Sequence, residues 1–164
     1  MTRALFKMVP VLLKMLTRRR GSRIRRWHRR LERGEFQPEL AVATAAGGLV
    51  TSFEIGVEHY RASFGDPWMW TPLAITPPLV AAGIGGAFSR RIAQTALPVT
   101  SALYLVNGLL GVYLHVRGVA KRPGGFREAT YNVVMGPPLM APGLMTMVGG
   151  MGLLAALLRR GTAR

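Results

Sequence analysis

Residues 68–89 read WMWTPLAITPPLVAAGIGGAFS, 22 positions without an ionised side chain. A helix needs about 20 apolar residues to cross a hydrocarbon core of roughly 30 Å. Two more stretches carry no charge when His115 is counted neutral, Ile92 to Val116 and Ala129 to Leu158. A fourth, Leu40 to Val57, holds one acid, Glu54. The pattern predicts an all-α protein, a transmembrane four-helix bundle with spans at about 40–58, 70–89, 93–116 and 131–158.

The charge missing from those stretches is gathered at the other end of the chain. The formal charge is +15, and twelve of the 22 Lys and Arg residues precede Gly34. Residues 1–37 therefore read as a basic amphipathic arm and residues 38–164 as the membrane domain. The apolar part of the arm, Ala4 to Leu16, is interrupted by Lys7, Pro10 and Lys14 and followed by Arg18-Arg19-Arg20. That is no pattern for a cleaved signal peptide. Thirteen helical residues also reach only about 20 Å, too short to span. The arm is expected to lie on anionic lipid headgroups through Arg18, Arg19, Arg20, Arg23, Arg25, Arg26, Arg29 and Arg30, at about 1 kcal/mol per close cation. Nucleic acid is the rival partner. It is disfavoured because Trp27 is the one aromatic residue among these arginines, and single-strand binding uses stacking platforms.

Cysteine is absent. Disulfides, Fe–S clusters and thiolate zinc sites are thereby excluded. No phosphate-binding Gly-rich loop, Ser-His-Asp set or zinc-protease His pair occurs. Cytoplasmic loops carry the excess of Lys and Arg. With the N-terminus inside, seventeen basic residues fall inside and five outside. Both termini are thus expected in the cytoplasm. Tyr60, Phe64, Trp68 and Trp70 would then meet the outer headgroups, where amphipathic rings prefer to sit.

The second and fourth stretches share a motif. Thr76-Pro77-Pro78-Leu79-Val80-Ala81-Ala82-Gly83 matches Gly136-Pro137-Pro138-Leu139-Met140-Ala141-Pro142-Gly143 at Pro, Pro, Leu, Ala and Gly. Each is preceded by His-x-Arg (His59 to Arg61, His115 to Arg117) and followed by Arg-Arg. That predicts two related helical hairpins, a parallel repeat with a pseudo-twofold axis along the membrane normal. Pro-Pro should kink its helix or delay its start.

Thr44, Gly47 or Gly48, Thr51, Glu54 and Glu58 recur at steps of three and four. So do Thr100, Tyr104, Asn107, Gly111 and His115. Each set lies along one helix face. Small and polar residues in a membrane face a protein neighbour. Thr51, Thr100, Tyr104 and Asn107 are expected to form an interhelical polar stripe where spans one and three meet. The methionines read as packing, not copper ligands.

His59, His115, Glu54, Glu58, Arg61 and Arg117 fall at similar depth near the outer end. Ionisable residues in a span are costly and mark function. Four readings stay open: two histidines holding haem b, a quinone head group with His and Arg donating to its carbonyls, a divalent metal on Glu54, Glu58 and a histidine, or an ion-paired helix rim.

Glu58-His-Tyr-Arg61 with Phe64, Pro67 and Met69, then His115-Val-Arg117-Gly118, Arg122-Pro-Gly-Gly125, Asn132, Gly136-Pro-Pro138 and Ala141-Pro142, carry a resemblance. Over about Leu40 to Leu158 the chain is similar to a group of small bacterial four-span integral membrane proteins with no assigned activity. The resemblance implies four spans and bacterial origin, and a bacterial inner membrane is the expected location. It brings no catalytic residue. The expected role is a small subunit or anchor of a larger membrane complex, or a homo-oligomer, without catalysis of its own. The alternatives are a haem- or quinone-binding electron-transfer subunit and a small oligomeric transporter.

Overall fold

A computed structural model describes residues 25, 27–30 and 34–158. The chain divides into two units, residues 1–36 with 158–164, and Gln37–Leu157. In the first unit Trp27 stacks on Phe36 with ring centres 5.1 Å apart. The Arg30 guanidinium lies 4.6 Å from the Phe36 ring centre and its Nε donates to Glu35 at 2.9 Å. Gly34 makes the turn at φ 63°, a conformation open to glycine. Arg18, Arg19, Arg20, Arg23 and Arg26 lie outside the described residues. Arg25 and Arg29 are exposed. Arg30, also exposed, pairs with Glu35 and lies over Phe36.

The second unit is an all-α four-helix bundle. Its long helices are α1 (Gln37–Arg61), α2 (Thr71–Phe88), α4 (Ala96–Ala120) and α6 (Met140–Leu157). Short helices α3 (Arg90–Gln94) and α5 (Ala129–Val134) and 3-10 turns at Pro67–Trp70 and Gly125–Glu128 join them. Four helical segments, with the first 3-10 turn counted into the second, are long and apolar enough to cross a membrane. Val50, Phe53, Phe88, Val106 and Met147 point outward. Large apolar side chains on the outside with Thr44, Thr51, Thr76 and Ser101 inside reverse the soluble arrangement and fit a lipid solvent.

The helices form a square. α1 and α4 each pack against α2 and α6 and stand on the diagonal. Across it Tyr104, fully buried, donates weakly to the Gly48 carbonyl at 3.4 Å. Small residues set the approach of neighbours. A Cβ on Gly149 would fall 2.5 Å from the Leu105 nitrogen, and one on Gly83 would fall 2.8 Å from the Ala41 oxygen.

The hairpins α1–α2 and α4–α6 make matching contacts, though not in the register of their Pro-Pro pairs. Gly83 abuts Ala45, and Gly152 abuts Ser101. Ala45 and Ser101 each precede their helix-end histidine, His59 or His115, by fourteen residues. Gly143, the Pro-Pro counterpart of Gly83, has nothing within 4 Å of where a Cβ would stand. The two proline pairs also behave differently. α2 continues through Pro77 and Pro78, whereas Gly136 to Leu139 is non-helical and α6 begins at Met140. The fourth span is therefore shorter than the 131–158 expected. In α2 the buried Thr76 bonds the Pro72 carbonyl at 2.7 Å and holds the turn ahead of the rings. Gly136 offers no such side chain, and a residue before proline is pushed away from helix.

Candidate functional site

The last turns of α1 and α4 reach the same end of the bundle as the chain that starts α2 and α6. Between them opens a cavity of about 350 Å³. His59, His115, Glu58, Asp66, Thr71, Asn107, Arg117 and Lys121 supply its polar lining, with Ile55, Leu110, Leu114 and Met145 among its apolar walls. Pockets of this size and mixture are typical of small-ligand sites.

Each histidine is anchored by the backbone that opens the following helix. His59 Nδ1 lies 2.7 Å from the Met69 oxygen and His115 Nδ1 2.6 Å from the Pro138 oxygen. Met69 stands two residues before α2 and Pro138 two before α6. The hairpins thus hold their histidines in the same way. Phe64 adds an edge-on contact to His59, with centroids 6.1 Å apart, and stacks on Trp70 at 4.1 Å. To do so Ser63 and Phe64 turn left-handed, at φ 57° and 45°. Non-glycine residues seldom adopt that conformation, and surrounding contacts must hold it.

Of the six residues expected at the site, four line the cavity: His59, His115, Glu58 and Arg117. Arg61 stands outside the lining and donates to Glu58 at 3.0 Å. Glu54 is not part of the site. It is exposed on the outer face of α1 and has no hydrogen bond or ion pair among the described residues, while its neighbour Ile55 turns inward. The ion-paired rim is thus present at Glu58 and Arg61, but Arg117 pairs with no acid among the described residues.

The polar stripe is corrected at one position. Thr51 and Tyr104 are buried, and Asn107 Nδ2 donates to the Thr71 hydroxyl at 2.8 Å, tying α4 to the start of α2. Thr100 instead bonds carbonyls of its own helix, Ala96 at 2.9 Å and Leu97 at 3.2 Å. Ser101 takes the central place.

Sequence reading gave Lys121, Asp66 and Thr71 no part in the site and set Trp68 at the headgroups, yet all four line the cavity. It also gave Asn132 no role of its own. That side chain is 1% exposed, accepts from Arg122 Nε at 3.1 Å and donates to the carbonyls of Pro123 and Gly125 at 2.9 and 2.8 Å. It is the pin of the turn between α4 and α5. An isolated Asn in a loop gives no periodic signal that would have found it.

The metal reading has no support: among the described residues no three His, Asp or Glu side chains gather to hold an ion. Haem b fits in one respect, since both histidines present a second ring nitrogen. It fails in another. The cavity-lining glycines of α4 that could clear a porphyrin face are filled, Gly111 by Pro142 and Gly118 by Pro137, each 2.9 Å from where a Cβ would stand. A single-ring head group suits the space better. Comparisons with protein-family models, with curated proteins and with solved structures gave no match.

Proposed function

We propose that this chain is a small integral membrane subunit of a larger assembly, and that its cavity binds the head group of a quinone-type amphiphile. The reading places it in a bacterial cytoplasmic membrane with both termini inside, as the charge distribution and the resemblance imply. One observation carries it: a histidine from each hairpin, locked in orientation, faces the same half-apolar cavity at the end of the bundle. A quinone needs a polar contact at each end of one flat ring and an apolar path for its tail. The cavity offers the first through His59 and His115 and the second through Ile55, Leu110, Leu114 and Met145. Electrons would be exchanged with a partner subunit.

The test is extraction. Purified protein, taken from membranes in mild detergent, is extracted with organic solvent and its quinones counted per chain. A near-equimolar amount that falls several-fold in His115→Phe is expected. Protein with no more quinone than the surrounding detergent lipid would end the proposal. Native electrophoresis of the same preparation should place the chain in a band far above 17.9 kDa. A band of the lone chain would remove the assembly half of the reading.

A further inference from the structure

The hydrogen bonds that hold the two histidines also fix which way each ring can bond a ligand. A carbonyl oxygen only accepts, so the nitrogen that bonds it must carry the hydrogen. Nδ1 of His59 and of His115 each face such an oxygen, at 2.7 and 2.6 Å. In a neutral imidazole the other nitrogen then holds a lone pair. With Nδ1 turned to the backbone, the edge left for the cavity is Nε2. Two neutral rings held this way present two acceptors and no donor. A quinone's carbonyls, also acceptors, find nothing to bond on either ring. The order expected from sequence, histidine donating to quinone oxygen, is reversed.

We infer that the cavity takes the reduced form of its ligand: an aromatic 1,4-diol, a quinol, whose two hydroxyls donate to Nε2 of His59 and Nε2 of His115. This rests on reading the cavity as a quinone-type site and names the redox form it selects. The remaining polar walls agree with a hydroxyl. Arg117 and Lys121 are donors at the exposed rim and pair with no acid among the described residues. A hydroxyl oxygen can give its hydrogen to a histidine and still accept from either of them. A carbonyl oxygen can do only the second. The other polar walls do not compete for the ring nitrogens: Asn107 bonds Thr71, Thr71 donates to the Trp68 carbonyl, Glu58 bonds Arg61, and Asp66 accepts from the Trp68 backbone N–H. A site built around a substrate hydroxyl discriminates strongly against an analogue that lacks it, because its own buried groups are then left unpaired.

Three ligands of one shape separate the possibilities: tetramethyl-1,4-hydroquinone, the corresponding benzoquinone, and the 1,4-dimethyl ether of the hydroquinone. Each is titrated anaerobically by calorimetry into the full chain in lipid nanodiscs, with empty nanodiscs subtracted. The diol should bind about tenfold or more tighter than either the quinone or the ether. His59→Phe and His115→Phe should each weaken the diol about tenfold and bring diol and quinone affinities together. If either variant fails to fold, because its ring also ties a loop, the comparison of the three ligands on the unaltered chain still decides. Quinone binding as tightly as the diol, or tighter, overturns this inference and leaves the quinone-type site standing. An ether as tight as the diol overturns it equally. Binding of none of the three overturns the proposed function as well.

Discussion

A one-position difference decides what Glu54 and Ile55 do. Both satisfy three-and-four spacing from Thr51, and one residue turns a helix by about 100°. Ile55 is buried and Glu54 exposed. The same ambiguity exchanged Thr100 for Ser101. Spacing identifies a stripe, but the centre of that stripe is set by which neighbours close around it, and no local pattern encodes that. Replacing Glu54 by Leu should therefore leave diol and quinone affinity unchanged, checked by the same calorimetry; a loss as large as that of His59→Phe would return Glu54 to the site. Asn132 is the opposite case, a residue without periodic signal that three bonds depend on. Asn132→Ala strands two turn carbonyls and should lower unfolding stability by about 2 kcal/mol or more, measured by denaturation in detergent.

Among elements, α4 and α6 approach most closely where Gly149 meets the Leu105 backbone. A methyl there meets main chain, which cannot give way as a flexible side chain can. Gly149→Ala should cost about 1–3 kcal/mol through forced separation of the pair. Gly143→Ala, six residues earlier on the same helix, meets nothing and should be neutral or gain up to about 1 kcal/mol from helix propensity. Thermal unfolding of the two variants side by side checks the contrast, and similar losses in both would contradict the packing described. The charge-free stretches made the long helices legible before any coordinate. The start of α6 was not, because Pro-Pro has two outcomes that depend on the residue before it: Thr76 carries a hydroxyl to brace the turn and Gly136 carries nothing.

For the whole molecule, the arrangement of helices in a square puts the His59 and His115 ends of α1 and α4 at one end of the bundle. The cavity itself was not readable, because its walls join the ends of α1 and α4 to loops and helix starts that are distant in sequence. The absence of cysteine makes the orientation directly testable. Cysteines placed at Ser63 and Arg127 should react with an impermeant maleimide in intact cells, and one at Arg90 only after the membrane is opened. Labelling of Arg90→Cys alone in intact cells would turn the protein over.

Ser101 leaves one loose end in this design. Among the described residues its Oγ is the one buried side-chain oxygen without a hydrogen-bond partner, and it abuts Gly152. The α1–α2 hairpin has a plain methyl, Ala45, at the matching place. The two crossings are thus a built-in comparison, one dry and quiet, the other carrying an unquenched dipole at its heart. When the bundle is warmed, the seam between α4 and α6 beside Gly152 is where it should first breathe.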